Sequence, residues 1–147
     1  NKLIIIGEQK WQDRKTKEVY KNMTSKKDVL FLGKIQDDLM AKILASARAL
    51  CFLSFFEGFG LPIVEAMQSN VPVITSNTSC MPEIAGDAAL IVNPTNIKEI
   101  EKAMTNLDMD EKLRKSLIKK GQKRSKMFNW DNTTNVVSKI LRKYITT

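Results

Sequence analysis

Two glutamates flank a glycine-containing segment, and their spacing is the strongest indication of chemistry in the sequence. The segment Glu57-Gly58-Phe59-Gly60-Leu61-Pro62 leads to Glu65, eight positions after the first glutamate. Glycine lets a backbone turn sharply and approach a ligand closely, and proline suits the first turn of a helix. Carboxylates accept hydrogen bonds from neighbouring hydroxyl groups, so this pattern predicts a site for a ribose or a sugar.

Each glutamate also has a plain structural interpretation. Glu65 alone would complement a helix dipole, which is worth about 0.3–1 kcal/mol, and Glu57 alone would be a solvated loop acid. The combined spacing of glutamates, glycines and proline favours a binding site. The loop precedes a helix, and the free N–H groups at a helix start favour an anion or a hydroxyl oxygen.

The composition excludes several other kinds of site. The 147 residues include no histidine, so Ser-His-Asp and Cys-His nucleophiles and HExxH zinc sites are excluded. Cys51 and Cys80 are too far apart for CxxC spacing, and we expect them to be reduced, mostly buried thiols. Asp108 and Asp110 lie between two predicted helices, where aspartate is a common cap, and no metal site is expected.

The elements that position the glutamates alternate between strands and helices. Short apolar, β-branched runs alternate with helical-period segments, which is typical of a parallel sheet covered by helices on both faces. The predicted strands are 3–6, 29–32, 49–53, 71–74 and 89–92. The predicted helices include 11–23 and 37–47, and only helices follow residue 92. The glutamate segment directly follows the third strand, and ligands of open α/β sheets bind at the carboxyl ends of strands.

Length and charge bound the domain organisation and the partners. A chain of 147 residues fits a single domain, 1–147, and its formal net charge is +8. Residues 108–147 hold eleven of the Lys and Arg residues. The eight of them at 112–126 are expected to form a solvated helix face, with a membrane-surface patch or a nucleic-acid stripe as the alternatives. Aromatic residues are not interleaved with the lysines of 112–126, so no nucleic acid is expected. The apolar runs are too short to cross a bilayer, and the start at Asn1 suggests a piece of a longer protein.

The glutamate segment resembles a known family. Its residues, ending in Glu65-Ala66-Met67, are similar to the E-x7-E motif of retaining glycosyltransferases of family 4, the glycosyl transferases group 1 class with the GT-B fold. Further matching signatures follow the order of that family's C-terminal, nucleotide-sugar-binding domain: Phe31-Leu32-Gly33, Pro72-Val73-Ile74, Met81-Pro82-Glu83-Ile84, Gly86-Asp87-Ala88-Ala89 and Phe128-Asn129-Trp130. The resemblance implies the Rossmann-like C-terminal half of a GT-B fold.

The resemblance also implies a role for individual residues. Glu57 would be the catalytic residue, binding hydroxyls of the transferred sugar, and Glu65 would accept the ribose hydroxyls of the donor. The implied donor-binding residues are Glu57, Gly58, Phe59, Gly60, Leu61 and Glu65, and the implied base-binding loop is Gly33, Lys34 and Ile35. No metal and no cofactor are implied, and the nucleoside-diphosphate sugar is the donor substrate.

The implied function is transfer of a hexose, with mannose and glucose as candidates, to a glycan or lipid-linked acceptor. The N-terminal acceptor domain and the Arg and Lys that clamp the diphosphate in the family would lie upstream of this chain. We therefore expect this part alone to be inactive, and we expect a cytoplasmic enzyme of cell-surface polysaccharide synthesis, peripheral at the inner membrane face. The alternative is a non-catalytic basic module that docks on anionic membrane or nucleic acid.

One departure from the family concerns the turn before the fourth strand. The family usually has a glycine there, whereas this chain has Ser69-Asn70-Val71. Asparagine tolerates left-handed backbone better than most residues, so we expect the turn to be kept.

Overall fold

The computed structural model describes residues 1–8 and 14–145, which form two compact units. The first unit comprises the described residues up to Lys42, and the second begins at Ile43. The predicted helix over 11–23 is observed as α1, Arg14–Asn22, and its expected start at Trp11 lies outside the described residues.

The first unit contains a pair of parallel strands. β1, Leu3–Ile6, pairs with β2, Val29–Gly33, and α1 and a 3-10 turn, Lys26–Asp28, lie between them in the chain. The ring of Tyr20 packs edge-on against that of Phe31, with 5.4 Å between the ring centroids. Both predicted strands of this unit are confirmed. The next helix, α2, is Asp37–Ser46 and carries two aspartates in its first turn, as predicted.

The second unit is built on a three-stranded parallel sheet in the order β3-β4-β5. Its strands and helices are, in chain order, β3 Leu50–Phe52, α3 Leu61–Gln68, β4 Val73–Ser76, α4 Met81–Ala85, β5 Ala89–Val92, α5 Ile97–Met109, α6 Glu111–Ser125 and α7 Trp130–Ile145. The predicted α/β class with parallel strands is confirmed.

The fourth strand begins two residues later than predicted. The N–H of Val71 donates to the carbonyl of Ala66 and closes the turn after α3, so this residue cannot begin the strand. Pro72 has no N–H, and its carbonyl accepts a hydrogen bond from Leu50. Asn70 has φ 61, so the turn uses left-handed backbone at the asparagine, as expected.

The core lies in the second unit, where every residue of β4 is buried. The first two β4 side chains belong to different clusters, because successive side chains of a strand point to opposite faces. One cluster surrounds Val73 and the other surrounds Ile74. Gly121 of α6 lies against α3, where a Cβ would come within 3.1 Å of Met67 Cγ. Glycine therefore lets these two helices approach closely.

The cysteines are less buried than predicted. Cys51 is exposed and Cys80 is half-buried, and both are free thiols. β3 ends the row of three strands, and its middle side chain, Cys51, is the exposed one. The prediction of burial is therefore wrong for Cys51. Among the described residues, no helix combines the length and apolarity that crossing a membrane requires.

Candidate functional site

The predicted loop lies between β3 and α3, and one of its glycines is required by the backbone. Gly60 precedes α3 with φ 90 and ψ 43, a left-handed conformation that side chains disfavour. A Cβ at this position would also lie 3.3 Å from Ile63 Cδ1. Gly58, in contrast, has open space where a Cβ would lie and no positive φ. We call residues 54–60 the site loop.

The amino end of α3 has no side-chain cap. Gly60 offers no side chain, the first turn contains no acidic residue, and Pro62 occupies the first turn as predicted. The N–H of Ile63 donates to the carbonyl of Gly60, 3.0 Å away. The first N–H groups of a helix have no partner within the helix, and the helix dipole makes this end positive. The end of α3 is therefore suited to an anionic or hydroxyl ligand.

The two predicted carboxylates differ in exposure. Glu57 is half-buried in the site loop, and Glu65 is exposed on α3. Within residues 1–8 and 14–145, neither carboxylate has a hydrogen-bond or ion-pair partner. An unpaired carboxylate keeps its acceptor oxygens available for ligand hydroxyls. That both line a single pocket stays a prediction.

The turn after β4 holds the backbone of Glu57. The Ser79 hydroxyl donates to the carbonyl of Glu57 at 2.8 Å and accepts from its N–H at 3.4 Å. The Cys80 thiol lies 3.2 Å from the same carbonyl as a weak donor. Ser79 has φ 53, an uncommon value for a residue other than glycine. Such strained backbone persists only where surrounding contacts hold it.

Two threonines extend this attachment toward β3. The Thr78 hydroxyl donates to the carbonyl of Ser54 at 3.2 Å, and the Thr75 hydroxyl donates to the carbonyl of Phe52 at 2.9 Å. The segment from β3 through the site loop is thus attached to β4 and its exit. Sequence reasoning missed these hydroxyls, whose only signal was their position at the end of a neighbouring strand or just after it. Parallel strands end at the same sheet edge, so exits of adjacent strands meet there.

The aromatic residues of the site loop have different surroundings. Phe59 packs edge-on against Phe128, with 5.8 Å between ring centroids and 87° between ring planes. Phe55 and Phe56 are 68% and 81% exposed, so they present apolar surface beside Glu57.

The predicted base-binding loop lies in the first unit. Gly33 ends β2 with φ 64, and its carbonyl accepts the N–H of Gly7 at 2.9 Å. Lys34 is exposed and Ile35 is half-buried. The structure thus joins Glu57, Phe59, Gly60 and Leu61 in one segment at the start of α3, and Gly33, Lys34 and Ile35 form a separate strand exit.

Asp108, in the last turn of α5, and Asp110, between α5 and α6, have structural roles. Asp110 caps α6, since its Oδ1 accepts the N–H of Leu113 at 2.9 Å. Asp108 instead pairs with Arg48, whose Nε lies 2.7 Å from its Oδ1. The interpretation of Asp110 as a cap is confirmed.

Comparisons with known proteins agree on one family. The family model described as glycosyl transferases group 1 matches residues 1–124. The chain is 34% identical over 132 residues to the O-antigen chain mannosyltransferase B of Escherichia coli, covering 90% of this chain and 35% of that protein. The chain therefore spans about a third of the length of this curated relative.

Solved structures show the same likeness. The C-terminal domain of the glycosyl transferase group 1 family protein LpcC from Francisella tularensis is 26% identical, with a TM-score of 0.72 over 86% of this chain and 68% of that chain. Anabaena HepE in complex with UDP-glucose is 20% identical, with a TM-score of 0.78 over 97% of this chain and 41% of that chain. This likeness confirms the predicted fold class, a Rossmann-like α/β fold of the GT-B type.

Proposed function

The chain belongs to the glycosyl transferases group 1 family, and we propose that it binds the nucleoside-diphosphate sugar of a retaining hexosyltransferase. The observation that carries this proposal is the start of α3. There the site loop carries the unpaired carboxylate of Glu57 and leads into the uncapped amino end of α3. Residues of β4 and its exit hold the backbone of this segment in place. Such a loop offers N–H donors for phosphate and acceptor oxygens for sugar hydroxyls.

Each part of the nucleotide sugar has a proposed binding partner in the chain. Glu57 binds hydroxyls of the transferred sugar near the reacting carbon, and Glu65 accepts the ribose hydroxyls. Backbone N–H groups of Phe59, Gly60 and Leu61 hold sugar hydroxyls and the diphosphate. The exit of β2, with Gly33, Lys34 and Ile35, packs against the base.

The proposed reaction needs little acid-base chemistry from this chain. The bond from the sugar carbon to the diphosphate oxygen breaks, and the acceptor hydroxyl oxygen bonds to that carbon from the same face, which retains the configuration. The hydroxyl proton passes to the departing diphosphate oxygen. The amino end of α3 stabilises the charge of the departing diphosphate, together with groups outside this chain, so no metal ion is required. N–H donors aimed at developing charge are an effective form of electrostatic stabilisation.

Mannose is the first sugar to test, because the E. coli relative is a mannosyltransferase, and UDP-glucose is the second, because HepE binds it. The proposed acceptor is a glycan or a lipid-linked sugar.

We propose that two surfaces of the second unit contact other partners. α7 exposes an apolar stripe that includes Val136, Ile140 and Tyr144, and this stripe fits an N-terminal domain of the same protein. The lysines of α6 are exposed, and they fit an anionic surface at the cytoplasmic face of a membrane. The enzyme would then be cytoplasmic and peripheral.

Calorimetry on the intact protein tests the donor site. Glu65→Ala should weaken binding of the donor sugar about tenfold or more, since a charge-assisted hydrogen bond contributes roughly 1.5–3 kcal/mol. Glu101→Ala, which removes an exposed glutamate of α5, is the matched control and should bind like the wild type. Equal affinity in both variants would refute the assignment of Glu65.

Vesicle binding tests the membrane contact separately. Vesicles with anionic lipid should retain the intact protein at low salt and release it as salt rises, because screening weakens charge attraction. Retention by neutral vesicles alone would contradict the role of the lysines. Binding to anionic vesicles without any nucleotide-sugar binding would favour the non-catalytic module instead.

A further inference from the structure

We propose that Arg124 is a positioning residue that holds the site loop from two directions. The proposal deepens the proposed function, on which its catalytic consequence rests. Arg124 lies near the end of α6 and is half-buried. Its guanidinium contacts α4 on one side and Phe128 on the other, and each of these elements leads to the site loop.

The first direction runs through the end of α4. Arg124 Nε donates to the carbonyl of Ile84 at 3.1 Å, and Nη2 donates to the carbonyl of Glu83. The last carbonyls of a helix have no partner within the helix, and a cation there is favourable. α4 has only five residues, so an anchor at its end fixes the whole helix.

α4 carries this anchoring to the site loop. It begins at Met81, directly after Ser79 and Cys80, whose side chains contact the carbonyl of Glu57. A shift of α4 would therefore move the groups that hold the backbone of Glu57. Ser79 is sensitive to such a shift, because its left-handed backbone depends on its surroundings.

The second direction runs through two aromatic rings. The guanidinium carbon of Arg124 lies 5.4 Å from the ring centroid of Phe128, a distance at which a cation is attracted to the ring face. Phe128 in turn packs edge-on against Phe59 of the site loop. Arg124 thus limits the ring positions open to Phe59, which lies next to Gly60 at the start of α3.

Gly86 leaves the space that the guanidinium occupies. Gly86 follows α4 with φ 56, and a Cβ there would come within 3.3 Å of Arg124 Nε. The close approach of this turn to the guanidinium is therefore part of the same arrangement. Lysine has no planar fork of donors, so it cannot contact both carbonyls and the ring in this way.

The alternative is that Arg124 only stabilises the fold, and hydrogen exchange distinguishes the two roles. In the intact protein, Arg124→Gln should speed exchange of the site-loop amides about tenfold and leave the amides of the core helix α5 unchanged. Lys123→Gln is the matched control, because Lys123 is the exposed neighbour on the same helix. An equal increase at all amides, or no increase in the site loop, would overturn the proposal.

Phe128 variants keep the test valid if Arg124→Gln does not fold. Phe128→Leu removes the aromatic direction alone and should speed exchange at Phe59 and Gly60, whereas Phe128→Tyr keeps the ring and should restore slow exchange. Unchanged exchange in Phe128→Leu would refute the claim that the Phe128 ring helps to hold the site loop.

Sugar transfer tests the consequence for the reaction. The kcat of Arg124→Gln should fall about tenfold at a temperature where the variant is fully folded. Asp110→Ala, which removes a cap from the same helix, loses stability but should keep its kcat. Altered exchange with unchanged kcat would refute the catalytic consequence. A wild-type protein that binds no nucleotide sugar would refute the proposed function. The exchange result would still show whether Arg124 holds the site loop.

Discussion

The amino ends of α3 and α6 differ in whether a side chain caps their free N–H groups. Asp110 caps α6 through a 2.9 Å hydrogen bond to Leu113, and Glu111 adds negative charge to the first turn. α3 starts at Gly60, which has no side chain, and its first turn carries no acidic residue. A helix end that caps itself serves the fold, whereas an uncapped end offers its N–H groups to a ligand. The difference separates a structural helix start from a candidate binding site within one unit.

The largest expected effect comes from giving α3 a side chain at its start. Gly60→Ala forces a side chain into left-handed backbone and against Ile63, so unfolding free energy should fall by about 1–3 kcal/mol. Donor affinity should fall at least about tenfold, because the first amides change direction. Urea denaturation and calorimetry measure the two effects.

Gly58→Ala is the stability control for this variant. A Cβ at Gly58 has open space and an ordinary φ, so stability should change by less than about 0.5 kcal/mol. Wild-type stability and affinity in Gly60→Ala would contradict the distinction between the two helix ends.

Removing the cap of α6 should lower stability without changing donor affinity. Asp110→Ala should lower the free energy of unfolding by about 0.5–2 kcal/mol, as loss of an aspartate cap does, and leave donor affinity unchanged. Denaturation and calorimetry on the same preparation measure both. A loss of donor affinity as large as that of Gly60→Ala would make the two helix ends equivalent.

The next effect separates the hydroxyl of Ser79 from its strained backbone. Ser79→Ala keeps the left-handed backbone and loses the hydrogen bond to Glu57, so stability should fall by about 0.5–1.5 kcal/mol. Ser79→Gly loses the same bond but relieves the backbone strain, so it should be at least as stable as Ser79→Ala. Both should slow sugar transfer. A normal rate in both would show that this bond does not position Glu57.

The smallest effect concerns a surface charge beside α6. A hydrogen bond and the charge of Lys120, 3.1 Å away, lower the pKa of Asp87, whose side chain is largely exposed. The pair therefore stabilises the fold above the ordinary pKa of aspartate, and this contribution disappears as pH falls through the lowered value. Lys120→Gln should raise the pKa of Asp87 toward its ordinary value, measured by NMR titration. An unchanged pKa would show that Lys120 is not the cause.

Several strands could be predicted from the sequence because the local residue types favour the structure that they form. The runs 3–6, 29–32 and 89–92 are apolar and β-branched, and they form strands where predicted. The start of β4 was misplaced because the N–H of Val71 belongs to the turn after α3, a contact that the apolar run does not reveal. The burial predicted for Cys51 is wrong because the exposure of a strand residue depends on its neighbours in the sheet.

The candidate site was readable to the extent that its residues are contiguous. Glu57, Gly60 and Pro62 lie within six positions, and their backbone needs show in their types. Ser79 and Arg124 lie 22 and 67 positions after Glu57, and serine and arginine have many uses. No spacing rule connects such distant residues, so their contacts were not predicted.

The sequence by itself determined the residue types: a glycine where α3 requires left-handed backbone, carboxylates beside it, and no histidine. These choices act locally, through backbone sterics and hydrogen-bonding capacity, and they need no knowledge of distant residues. The tertiary structure decided what holds the site loop. Adjacent parallel strands end at one sheet edge, which brings Ser79 to the backbone of Glu57, and the packing of α6 brings Arg124 to α4 and Phe128.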